Sequence, residues 1–293
     1  MNDPVGNRSS RLLGPVRAGG SRSAIIALTS TVLVFGALAV VIVNSPGWPR
    51  LQESFFNFEV IAATAPRIFD KFFVNVQIFL TAEVAILVLA LGIAVLRGLP
   101  GPAFLPLRLI AVAFVDFFRG VPGILIVYVL GLGIPALRLG LPTDPLLWGT
   151  VALVLIYSAY VSEVYRAGIE SIHPSQEAAA RSLGLSRFQS LRYVILPQAI
   201  RRVVPPLLND FIGLQKDSAL VALIGPIEAF RQSQISQSAN FNFSPYIVTA
   251  VLFLAITVPL ARLVDWLVAR QRHGGPARAL AAEAGGTAGR GAL

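Results

Sequence analysis

The sequence predicts an all-α protein, a polytopic bundle of about six transmembrane helices. Three observations carry this. Hydrophobic residues make up 55% of the 293-residue chain and charged residues only 13%, where a soluble domain carries about a quarter charged. The apolar residues gather in long runs, each close to the ~20 residues a helix needs to cross a bilayer core. The arginines are spread unevenly around those runs.

Residues 1–23 are rich in Gly, Ser and Arg and predict a disordered basic tail. Residues 24–43 hold no charge and predict a first span. No small-residue cleavage site precedes Pro46, so this span reads as an anchor. Val74–Leu96 is a second run, broken only by Glu83. A weaker run begins near Leu109 and continues through Gly120–Ile134, with Pro122 suited to the first turn of its helix. Leu146–Ala167 is the fourth. Val203–Gly225 is the fifth, interrupted by Asp210, Lys216 and Asp217, and Tyr246–Val268 is the sixth. Residues 273–293, rich in Gly and Ala with no apolar stripe, predict a second disordered tail.

Orientation follows from the basic residues, which stay on the cytoplasmic side. The N-terminal tail, the loop after the second span, the long loop after the fourth and the C-terminal tail together hold 17 of the 24. Five lie on the opposite side: Arg50, Arg67, Lys71, Arg138 and Arg231. Both termini are therefore expected in the cytoplasm.

Several function classes fall away. The formal net charge is +9, but the basic residues sit between apolar runs and not on a polar face, so nucleic acid is not an expected partner. There is no cysteine framework, and no metal or nucleophile constellation appears. No Gly-x-x-x-x-Gly-Lys-Ser/Thr loop is present to cradle ATP phosphates, so the chain is not read as an enzyme and no cofactor is expected.

The long loop at 170–200 is the informative segment. It reads His173-Pro-Ser-Gln-Glu-Ala-Ala-Ala-Arg-Ser-Leu-Gly184, a basic stretch, then Val194-Ile-Leu-Pro197. Ser175 is the expected N-cap of a short helix, Ala178–Ala180 propagate it and Gly184 ends it. Ser186 is positioned to cap a second helix, which Pro197 is expected to end. His173 reads as a surface residue. Pattern and charge alone would fit amphipathic helices lying on the membrane.

The residues themselves resemble the EAA loop of ABC importer permeases, with Glu177, Ala178, Ala179, Ala180, Gly184 and the Leu196-Pro197 pair. Flanking segments are similar to the polar amino acid subfamily, the histidine, glutamine and glutamate type. These are Phe118-Arg-Gly-Val-Pro122, Ala159-Tyr-Val-Ser-Glu163-Val-Tyr-Arg166-Ala-Gly168 and Asn209-Asp-Phe-Ile-Gly-Leu-Gln-Lys216-Asp217-Ser218-Ala-Leu220. The resemblance spans residues 65–272. There are departures: the first span lies outside the family's five-span core, Ser218-Ala219 replaces Thr-Ser, and Ala178 holds the usual Glu position.

The resemblance implies a type I importer permease of the bacterial cytoplasmic membrane. Its partners would be cytoplasmic ATPase subunits, a second permease subunit (identical or not), an extracytoplasmic substrate-binding protein and an amino-acid substrate. The loop would dock on the ATPase as a coupling helix, and transport would follow alternating access. An importer for another solute, an ion-coupled carrier or channel, and a membrane-embedded enzyme are the rivals.

Single residues carry further expectations. An intramembrane carboxylate costs about 2.5–3.5 kcal/mol, so Glu83 should face a cavity or partner. It reads equally as a translocation-path group or as a hydrogen-bonding partner of Gln77, Thr81 or a partner subunit. Tyr160, Asn209, Lys216 and Asp217 are candidates for the path or its gate, with a mutual Lys216–Asp217 pair the alternative. Asp116 with Arg119, and Glu163 with Arg166, have the i, i+3 spacing of ion pairs, the second bracing the loop.

Overall fold

In a computed structural model, residues 21–273 are described; the expected tails at 1–20 and 274–293 lie outside the described residues. The chain divides into two units, residues 1–54 and 55–293. The first holds α1 (Ser21–Val43) and most of α2 (Trp48–Phe55). Polar groups in α1 turn back on its own backbone: Ser30 and Thr31 both bond the carbonyl of Ala27. That is how a helix tolerates hydroxyls in an apolar setting.

The second unit is a helical bundle. Its helices are α3 (Phe58–Gly98), α4 (Leu105–Gly120), α5 (Gly123–Tyr128), α6 (Ile134–Ala136) and α7 (Pro145–Glu170). The remainder are α8 (Pro174–Ser182), α9 (Arg187–Ser190), α10 (Leu196–Asp217), α11 (Ala229–Asn240) and α12 (Ser244–His273). Caps set the starts. Asn57 accepts from the amide of Val60, and Asp144 accepts from that of Leu146 ahead of Pro145. The α3–α7 contact is the most extensive. Ile78, Ala82 and Ile86 of α3 meet Leu153 and Ile156 of α7, with Ile126, Val127, Leu214 and Val221 completing that core.

Among the described residues, four helices are long and apolar enough to cross a membrane: Ile25–Val43, the run ending at Gly98, Pro145–Glu170 and Ser244–Arg270. A fifth would be Pro102–Gly120 with Gly123–Ala136, bent by 107°. The weak run from Leu109 is thus two helices, because Val121 precedes a proline and takes an extended conformation. Pro122 is the residue before α5 and not part of its first turn. α10, which overlaps the fifth expected span, is not among these helices; it carries Arg201, Arg202, Asp210, Lys216 and Asp217.

Pro197 does not end a helix. The chain runs helically from Arg187 to Asp217 through a π-helical stretch, Leu191–Ile195. There the amide of Leu196 reaches back to the carbonyl of Leu191. The widened turn accommodates a residue that has no N–H to give. A second π-helical stretch, Val129–Gly133, also lies ahead of a proline, Pro135.

Candidate functional site

The loop at 170–200 folds as two short helices. His173, not Ser175, is the N-cap of α8, its Nδ1 accepting from the amide of Ser175 at 3.2 Å. Pro174 then takes N1, where a missing N–H costs nothing. Glu177 moves two places deeper than expected but still lies in the first turn, at the positive end of the helix dipole. Gly184 ends the helix at φ +86, with the amide of Leu185 bonded to the carbonyl of Ala180. This is the glycine-terminated 6→1 turn. Ser186 and Gln189 form the reciprocal capping box of α9.

The loop presents a small, apolar outer face. Ala178 and Ala179 are exposed, and Leu183 is 84% exposed. Ala180 is instead buried inside the loop, at 4%. Glu177 lines a cavity of about 400 Å³ beneath α8, shared with Glu170, His173 and Arg187. Pro197 and Leu196 belong to the start of α10, above the small core of Ile172, Ile195 and Ala199.

Three long helices root the loop. Glu163 and Arg166 pair as expected, Nη2 to Oε2 at 2.6 Å, and Arg166 also reaches Glu170 at 2.6 Å. The other carboxylate oxygen of Glu163 pairs with Arg97 of α3. Arg202 of α10 donates to the carbonyl of Ser171. Gly168 of α7 lies directly against Val203 of α10. Asp116 and Arg119 do not pair; the Arg119 guanidinium lies 5.6 Å from the centre of the Tyr160 ring. A cationic plane on an aromatic face replaces the expected ion pair.

The remaining candidates separate. Glu83 lines a cavity of about 260 Å³ with Leu87, Val204, Leu207, Leu208 and Phe211. Thr81 spends its hydroxyl on the carbonyls of Gln77 and Ile78, leaving Glu83 with no hydrogen-bonding partner among the described residues. Asp210, within electrostatic range of Glu83, has a buried carboxylate oxygen that is also without a hydrogen-bonding partner. Lys216 and Asp217 point to different neighbours. Asp217 accepts from the hydroxyl of Tyr157 at 2.8 Å, while Lys216 lines a cavity with Phe230, Tyr246 and Phe253. Asn209 is exposed.

Sequence reasoning missed a buried polar node. Glu228 is 0% exposed, caps α11 through the amides of Phe230 and Arg231, and accepts from Asn75 of α3 at 2.7 Å. Asn75 also bonds Ser218 and the amide of Ala229. An amide within the second apolar run was the available signal, since such a group needs an internal partner.

An all-helical membrane component, with a compact two-helix loop rooted on three long helices, is the architecture of a transport-system permease. The chain belongs to the binding-protein-dependent transport system inner membrane component family, whose pattern it matches over residues 103–273. It is 36% identical over 202 residues to a probable glutamine ABC transporter permease protein of Bacillus subtilis (strain 168), covering 69% of this chain and 91% of that one. It is 35% identical over 164 residues to the glutamine transport system permease protein of Escherichia coli (strain K12), covering 56% and 75%. Among solved structures, an amino acid ABC transporter with histidines matches with a TM-score of 0.67 and 31% identity, over 73% of this chain and 98% of that one. The MetNI methionine ABC transporter, at 18% identity and a TM-score of 0.55, shares the fold.

Proposed function

We propose that this chain is the permease subunit of an ABC importer that carries polar amino acids across the bacterial cytoplasmic membrane. The observation that carries the reading is the loop. Its exposed Ala178, Ala179 and Leu183 form a close-docking face, and Gly184 holds the turn that presents it. Such a face suits a groove on an ATPase subunit, and the chain itself holds no phosphate-binding loop. The glutamine and amino-acid names of its relatives support the substrate class.

In this reading the ATPase pair closes on ATP and pulls the loop, and the helices rooted on it switch between outward and inward openings. A second permease subunit completes the path, and an external binding protein delivers substrate. Glu83, with Asp210 nearby, gives the path a negative group for a substrate ammonium. The chain does no covalent chemistry.

The test is reconstitution with the ATPase and binding protein in proteoliposomes, followed by uptake from a panel of labelled amino acids. Uptake should require ATP and saturate with an amino acid. Uptake that proceeds without ATP would overturn the reading in favour of a carrier or channel.

A further inference from the structure

We propose that Arg97 and Glu163 are positioning residues for coupling: their ion pair makes α3 move with α7 when the loop moves. This rests on the reading of the chain as an importer permease. α7 leads into the loop and α10 leads out of it, so both feel its displacement through the backbone. α3 is separated from the loop in sequence, and its charged link to it is lateral. Arg97 lies in the last turn of α3 and donates to Oε1 of Glu163. Oε2 of Glu163 takes Arg166, at 2.6 Å from Nη2 and 3.2 Å from Nε. Arg166 then reaches Glu170, the last residue of α7.

The relay is graded from dry to wet. Side-chain exposure is 16% for Arg97, 18% for Glu163, 39% for Arg166 and 60% for Glu170. Charges hold each other most firmly where water is excluded. The inner pair is therefore the stiff part, and the outer pair is the part that follows the loop. The same helix that carries Arg97 carries Glu83, about 21 Å away at 1.5 Å per residue. A pull on Glu163 thereby reaches the cavity at Glu83 through a continuous helix.

The experiment uses the full reconstituted complex and measures ATP hydrolysis with and without loaded binding protein. Arg97→Met and Glu163→Gln should each cut the stimulated-to-basal ratio about tenfold, within the usual span of coupling between sites. Basal hydrolysis and assembly should hold. The double variant should lose no more than Glu163→Gln alone, because both changes remove the Arg97–Glu163 interaction. Arg97→Lys keeps the charge and should retain at least half the stimulation. An unchanged ratio in both single variants, additive losses in the double, or Arg97→Lys as damaging as Arg97→Met would overturn the proposal. If the single variants do not assemble, Arg97→Lys decides alone: half the stimulation or more supports the pair, and less than half overturns it. A wild-type complex without ATP-driven uptake would count against the importer reading instead.

Discussion

Gly168 of α7 packs so closely on Val203 of α10 that a β-carbon at position 168 would overlap Cγ2 of the valine. Alanine is favoured over glycine in a helix interior by about 0.8–1 kcal/mol. Overpacking costs about 1–3 kcal/mol, so the clash should win. Gly168→Ala is expected to lower the melting temperature of the purified subunit. Gly168→Ala combined with Val203→Ala should recover most of the loss. A Gly168→Ala protein as stable as wild type would show that the two helices can separate freely.

Gly184 holds φ +86, a region that a β-branched residue enters only under strain. Gly184→Val should abolish substrate-stimulated ATP hydrolysis while leaving membrane insertion intact. Gly184→Asn should be milder, because asparagine tolerates the left-handed region. Glu177 faces the cavity under α8, so Glu177→Ala should cost less than Gly184→Val in the same assay. The reverse order of damage would shift the coupling role from backbone shape to the carboxylate.

Among the described residues, Asn75 is the sole side chain that bonds the Glu228 carboxylate, which is wholly buried. Asn75→Leu should take one of three hydrogen bonds from that carboxylate and strand the amide of Ala229, a loss of about 1–3 kcal/mol. Thermal unfolding in detergent would measure it. Adding Glu228→Gln to Asn75→Leu should restore part of the stability, since a neutral amide tolerates burial better. Failure of that second change to help would mean the carboxylate is already neutral.

Topology can be read by thiol labelling, since the chain has no cysteine. Ser182 is exposed on the loop and Thr143 is exposed ahead of α7; Ser190, also on the loop, is buried and unsuitable. Ser182→Cys should react with an impermeant maleimide only in inverted vesicles, and Thr143→Cys only in whole spheroplasts. Labelling of position 182 from outside would reverse the orientation drawn from the arginines.

The helices were legible because an apolar run long enough to span a membrane has few other structures open to it. The loop was legible because proline, glycine and serine mark its boundaries, and Gly184 and Ser186 act where the pattern puts them. His173 was not, because a histidine side chain is a rarer cap than the serine two residues later. The Asp116–Arg119 spacing suited a pair, yet Tyr160 on another helix offered the guanidinium a better surface. Arg97 with Glu163 and Asn75 with Glu228 join positions far apart in the chain. Helical periodicity describes only neighbours on one helix, so it is silent about such pairs.

The wide turn at Leu191–Ile195 also sets the angular register between the loop and everything beyond it. It holds one residue more than an ordinary helical turn, and a single residue turns a helix by about 100°. Removing one residue there would close the wide turn and leave Pro197 inside an ordinary helix, a local cost of about 3 kcal/mol. It would also swing Val203 away from Gly168, Asp210 away from the cavity at Glu83, and Asp217 away from Tyr157. A one-residue deletion in this stretch is therefore a phase error that runs the length of α10, and a chain carrying it could keep every helix while losing every contact that α10 makes.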